Sequence, residues 1–183
     1  PGLRSTLRPY QRDGVAWMWC RYVAEIGALL ADDMGLGKTH QVMGLMCWIR
    51  DRRPDARMLV VCPRGVLEHW HTLLGEFVPD LPVRLFHGPG RSLDLPEEGA
   101  AVVLTTYDII FRSTEELAAQ HWEVAVFDEA QRIKNPRTKA ARAARCSASF
   151  LLDAEPVPII SSRKRTEMVK VRAWAGPASS SST

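Results

Sequence analysis

Two short stretches carry residue types that could act on a phosphate anhydride. In the first, Asp32-Asp33-Met34-Gly35-Leu36-Gly37-Lys38-Thr39, an apolar run from Ile26 to Ala31 feeds into a glycine-spaced Lys-Thr. Glycines at that spacing let a chain leaving a buried strand turn tightly, so that successive N–H groups face one anion. A helix starting there adds its positive end. Lys38 would bring a point charge to the β and γ phosphates and Thr39 a hydroxyl to magnesium. The general pattern G-x-x-x-x-G-K-[ST] has glycine where this chain has Asp32, so the motif alone is a loosened one. The second stretch, Val124 to Gln131, is an apolar run ending in paired carboxylates, Asp128-Glu129, 90 positions after Lys38. One acid could hold magnesium through water while its neighbour polarises the water that attacks the γ phosphate. A strand running into a solvated acidic turn has the same composition; the phosphate loop upstream favours the chemical reading.

These residues need elements that bring them together. Pro9 suits the first position of a helix, and Val15, Met18, Trp19, Tyr22, Val23 and Ile26 recur at helical spacing until Gly27. Val42, Leu45, Met46 and Ile49 predict a helix after the phosphate loop, and Met58 to Cys62 a strand. A helix carrying Val66, Leu67, Trp70, Leu74 and Phe77 follows, then a short strand from Val83 to Phe86 and a surface loop from His87 to Gly99. Ala101 to Thr105 and Val124 to Phe127 are further strands, with a helix expected around Glu115 to Gln120. Strands alternating with helices predict an α/β fold with a parallel, doubly wound sheet. Ligands of such sheets gather at the carboxyl ends of strands. The phosphate loop, Pro63-Arg64, Thr105-Thr106-Tyr107 and Asp128-Glu129 would all meet there.

The chain has 183 residues, 46% of them hydrophobic, which suits one core with an appendage. No apolar stretch approaches the ~20 residues of a membrane span, and a cytosolic protein is expected. Cys20, Cys47, Cys62 and Cys146 form no C-x-x-C, and the first three are expected to be buried thiols. His69 and His71, two positions apart on a helix, face different directions and read as structural rather than as metal ligands. Charge is uneven. Residues 1–131 hold 13 Lys/Arg against 18 Asp/Glu, whereas 132–183 hold 11 against 3. Nucleic-acid contacts would therefore come from local loops or from the basic stretch Arg132 to Arg145.

In their residues and order these motifs resemble the Swi/Snf-type ATPases, double-stranded DNA translocases of helicase superfamily two. Leu7-Arg8-Pro9-Tyr10-Gln11-Arg12-Asp13-Gly14-Val15 is similar to the family's adenine-side motif, and Asp32 to Thr39 to its version of the phosphate loop, acidic where the general motif has glycine. Leu59 to Arg64 with Trp70, Leu104 to Asp108, and Asp128 to Pro136 resemble its next motifs, with Gln131 in place of the histidine of many members. The resemblance implies the first of two lobes of RecA-like P-loop type, a three-layer structure over residues 1–145, binding ATP and magnesium. It implies that Gln11 meets the adenine edge, that Asp33, Met34, Gly35, Leu36, Gly37, Lys38 and Thr39 cradle the phosphates, and that Thr39 and Asp128 hold magnesium. Glu129 would position water, and Gln131 would couple the nucleotide to the second lobe. Pro63, Arg64, Thr105, Thr106 and Lys134 would track the DNA backbone without reading sequence. For Arg64 and Lys134 a solvated surface charge is the alternative. Tyr10, Trp17 and Trp19 are expected in the core. An RNA helicase lobe is the competing enzyme reading, and a nucleotide-binding or interaction module without turnover the non-enzyme one.

Asn135-Pro136 can start the family's next helix, but after Cys146 the likeness stops. Residues 146–183 are expected to be a divergent tail without order, of the kind a frameshift would produce. The family's next sheet strand and the whole second lobe have no counterpart. That lobe supplies an arginine finger worth on the order of a thousand to a hundred thousand in rate. Little hydrolysis by this chain alone and an unpaired sheet edge are the corresponding expectations.

Overall fold

A computed structural model describes residues 2–30 and 35–129 and the backbone of 169–173. Helix α1 (Pro9–Val23) leads to strand β1 (Ala28–Leu30), then α2 (Lys38–Arg52), β2 (Arg57–Cys62), α3 (Arg64–Phe77) and β3 (Val83–Leu85). Strand β4 (Ala101–Thr106), helices α4 (Tyr107–Arg112) and α5 (Thr114–Ala118), β5 (Val124–Phe127) and β6 (Val169–Ala173) complete it. The sheet runs β1-β6-β5-β2-β4-β3. Strands β3, β4, β2 and β5 pair in parallel, and β6 is antiparallel to both its neighbours, so β1 also points the way β5 does.

Each strand sends alternate residues to opposite faces, and both faces are covered. Met58, Val60 and Cys62 of β2, with Val102, Leu104, Val124 and Val126, pack against α1, α2 and α3. Leu59 and Val61, with Val103, Ala125 and Phe127, pack against Tyr107, Ile109, Ile110, Leu117 and Trp122. The result is the expected three-layer arrangement. Strands buried on both sides are continuous apolar runs for this reason.

The structure departs from the sequence expectations in several places. Helix α1 ends before Gly27: Glu25 takes φ 56° and the Ile26 N–H donates to Arg21 O at 3.0 Å, a left-handed cap made without glycine. Cys20 is exposed, while Cys47 and Cys62 are buried; Tyr10 and Trp17 are about 40% exposed, and of the three aromatics only Trp19 packs on the core. Helix α4 was not anticipated. Most informative is β6, which lies within the tail expected to be without order and fills the gap between β1 and β5, where an unpaired edge was expected. Its Val-Lys-Val-Arg-Ala sequence alternates β-branched residues, and its backbone gives both flanking strands hydrogen-bond partners.

Candidate nucleotide site

Register places the four motif segments on one line. Leu30 pairs with Val169, one position beyond the Phe127–Lys170 pair, which puts Asp128 level with the end of β1. Phe127 pairs with Val61, and Cys62 with Thr106, so Leu30, Asp128, Cys62 and Thr106 end at the same row of the sheet. The chain leaves β1 and β5 two strand spacings apart, about 10 Å.

At one end of this row the chain turns into α2. Gly35 and Gly37 have φ of 81° and 69°, and Gly37, which has no side chain to offer, stands at the cap of α2. Lys38 opens the helix and is 5% exposed, with Thr39 partly buried behind it. Gln11 reaches this loop from α1: its Nε2 donates to Leu36 O at 3.1 Å while its Oε1 accepts from Arg8 N at 2.9 Å. The Tyr10 hydroxyl donates to the same Leu36 carbonyl at 3.4 Å, so this aromatic is exposed beside the loop rather than packed in the core. Two glycines let α1 come close. A Cβ at Gly37 would lie 2.3 Å from Gln11 Nε2, and one at Gly14 2.0 Å from Oε1 of the fully buried Gln41.

Farther along the row, Asp128 is half-buried and held on every side. Its N–H donates to Val61 O at 2.8 Å, its carbonyl accepts from the Tyr107 hydroxyl at 2.6 Å, and its Oδ2 accepts from Trp70 Nε1 at 2.7 Å. The Glu129 N–H donates to Asp128 Oδ1 at 2.8 Å, with Glu129 itself at φ 49°. Directly beneath, the Cys62 thiol is pushed up to about 12, by burial first and then by the charges of Asp128 and Glu129. Burial and these neighbouring charges favour the protonated thiol. Trp70 and Tyr107 stood in the motif segments, but their hydrogen bonds to Asp128 span 58 and 21 positions and leave no local spacing signal.

The residues expected to meet DNA divide differently. Arg64 is exposed at the start of α3, and Pro63 before it is buried. Thr105 is fully buried and its hydroxyl donates to Phe86 O at 2.9 Å, while Thr106 is 2% exposed. Neither hydroxyl faces solvent, because strand β4 is covered on both sides. Asp33, Met34, Gln131 and Lys134 lie outside the described residues. Among the described residues no three His, Cys, Asp or Glu cluster as a metal site.

A largely parallel α/β sheet with a glycine loop opening a helix at one strand end and an acidic pair at another belongs to the P-loop class, in its RecA-like form. The SNF2-related domain model matches residues 10–149. The candidate ATP-dependent helicase/translocase YwqA of Bacillus subtilis is 41% identical over 150 residues, covering 79% of this chain and 16% of YwqA. CHROMATIN REMODELING 24 of Arabidopsis thaliana is 33% identical over 160 residues, covering 78% of this chain and 15% of that protein. The Sulfolobus solfataricus SWI2/SNF2 ATPase core in complex with dsDNA superposes with a TM-score of 0.72 at 38% identity, over 79% of this chain and 30% of that one. The chain belongs to the SNF2 family, and it spans about a sixth of the length of these two curated relatives.

Proposed function

We propose that this chain is the ATP-binding lobe of a translocase acting on double-stranded DNA. The observation that carries the reading is the row that sets Leu30, at the end of the strand preceding Gly35, Gly37 and Lys38, level with Asp128 in a chain of the SNF2 family. Two features suit a triphosphate. Positive φ at Gly35 and Gly37 lets backbone N–H groups turn toward one anion, and the cap residue Gly37 has no side chain of its own to compete with phosphate oxygens. Lys38 would pair with the β and γ oxygens, with Asp33, Met34 and Leu36 contributing backbone to the cradle. Thr39 and Asp128 are oxygen donors of the hard type that magnesium prefers, and the ion held there would neutralise charge developing on the phosphates. Glu129 would take a proton from water as its oxygen bonds to the γ phosphorus and the bond to the bridging oxygen breaks, releasing ADP.

Gln11 would read the adenine edge by exchanging its present bonds for ones to the base, and Gln131 would face a second lobe. The Sulfolobus core was solved with dsDNA; here Arg64, exposed beside Pro63, and Lys134 would supply the phosphate contacts. Equilibrium binding of labelled ATP tests the reading: saturable, magnesium-dependent binding that Lys38→Ala weakens at least tenfold is expected. Equal affinity in the two proteins refutes it. In the chain joined to a second lobe, hydrolysis should rise with double-stranded DNA and not with RNA.

A further inference from the structure

We propose that Trp70 is a positioning residue for Asp128, fixing the carboxylate in the orientation that a magnesium-bound nucleotide requires; this rests on the reading of the site given above. Trp70 lies two turns into α3, is 1% exposed and is packed among the core side chains of α2, α3 and the sheet. Its indole N–H has donor capacity only, and a buried indole needs an acceptor. That acceptor is Asp128 Oδ2, at 2.7 Å. The Glu129 N–H occupies Oδ1 at 2.8 Å, so each carboxylate oxygen has a donor and rotation of the group about its terminal bond is stopped. The two donors differ in kind. The backbone N–H moves with Asp128 itself, whereas the indole is anchored in the core and ties the carboxylate to a rigid external reference. A phenyl ring could contribute packing at the same place. What tryptophan adds is the N–H aimed at the acid.

Groups that hold a metal ligand in place are typically worth ~10–100-fold in metal affinity. The test is Trp70→Phe in the full chain, with ATP binding measured by calorimetry across a magnesium titration and again in EDTA. The expected result is a loss of tenfold or more in the affinity gained from magnesium, with metal-free ATP affinity changed less than twofold. A role confined to packing would lower both affinities together or neither, and either pattern overturns the proposal. Should Trp70→Phe not fold, the unaltered chain decides: its Trp70 indole N–H resonance, assigned by replacing the other tryptophans one at a time, should shift with magnesium plus ATP and not with ATP alone. An indole signal indifferent to magnesium overturns the proposal. If the unaltered chain binds no ATP under any condition, the reading of the site fails and the proposal with it. Binding of MgATP with an unchanged magnesium gain in Trp70→Phe removes the proposal alone.

Discussion

Replacing Gly37 by alanine adds one methyl group at the point where α1 meets the phosphate loop, and two separable penalties follow. At φ 69° an L side chain is disfavoured by ~1–2 kcal/mol. The new Cβ would also sit 2.3 Å from Gln11 Nε2, so Gln11 must withdraw. Its bonds to Leu36 O and from Arg8 N, at 3.1 and 2.9 Å, are then lost, at about 1 kcal/mol each. Gly37→Ala should therefore destabilise by ~3–4 kcal/mol. Gly35 is the internal control, since its φ of 81° imposes the backbone penalty but a Cβ there meets nothing within 4 Å. Gly35→Ala should remain near ~1–2 kcal/mol. Urea unfolding of both variants measures the difference, and repeating it in a Gln11→Ala background isolates the contact as a double-mutant cycle. With the amide gone the two alanine variants should converge. Equal destabilisation in the unaltered background, or a gap that survives Gln11→Ala, would refute the contact between Gln11 and the loop as the source.

Trp122 is fully buried and its indole N–H donates to Leu117 O at 2.7 Å, so Trp122→Ala should cost ~3–5 kcal/mol, read from the urea midpoint. Cys62, with its thiol raised from 9.0 to about 12, stabilises the fold fully below pH 9, where both states hold the proton. Above pH 9 the unfolded chain ionises first and stability falls by ~1.4 kcal/mol per pH unit. Cys62→Ala should flatten that fall in urea midpoints between pH 9 and 10.5, though not abolish it, because burial raises Cys47 in the same direction. A chain ended after residue 168 lacks β6, and the amides of β1 and β5 that face it should lose hydrogen-exchange protection while those shared by β2 and β4 keep theirs.

The strands were legible because both faces of the sheet are covered, which forces runs such as Met58 to Cys62 and Val124 to Phe127 to be apolar throughout. The motif residues were legible because phosphate chemistry restricts which side chains and which glycines can stand at fixed spacing. Helix α4 was not, since Tyr107, Ile109, Ile110 and Phe111 follow β4 without a turn residue and Phe111 is exposed. The stop of α1 at Val23, with its left-handed residue at Glu25, was hidden by Gly27, the better left-handed residue two positions beyond Glu25. Trp17 and Cys20 looked like core residues because α1 carries apolar side chains around more than one face, and only Val15 and Met18 are buried. The grip of Trp70 and Tyr107 on Asp128 depends on α3, β4 and β5 meeting in space, which no local pattern records.

Strand β6 has a consequence for the order in which this chain can fold. Its register partners are residues 28–30 on one side and 124–127 on the other, so in the backbone ladder the oldest strand is joined to the rest of the sheet by the youngest. Closing those pairs spans about 140 positions on one flank and more than 40 on the other, the kind of non-local contact that slows folding. A nascent chain could assemble β2, β3, β4 and β5 as a parallel unit while β1 waits, held by helix packing alone. The ends of β1 and β5, which lead into the phosphate loop and the acidic pair, would come into register only once β6 has been made, after the parallel unit is complete.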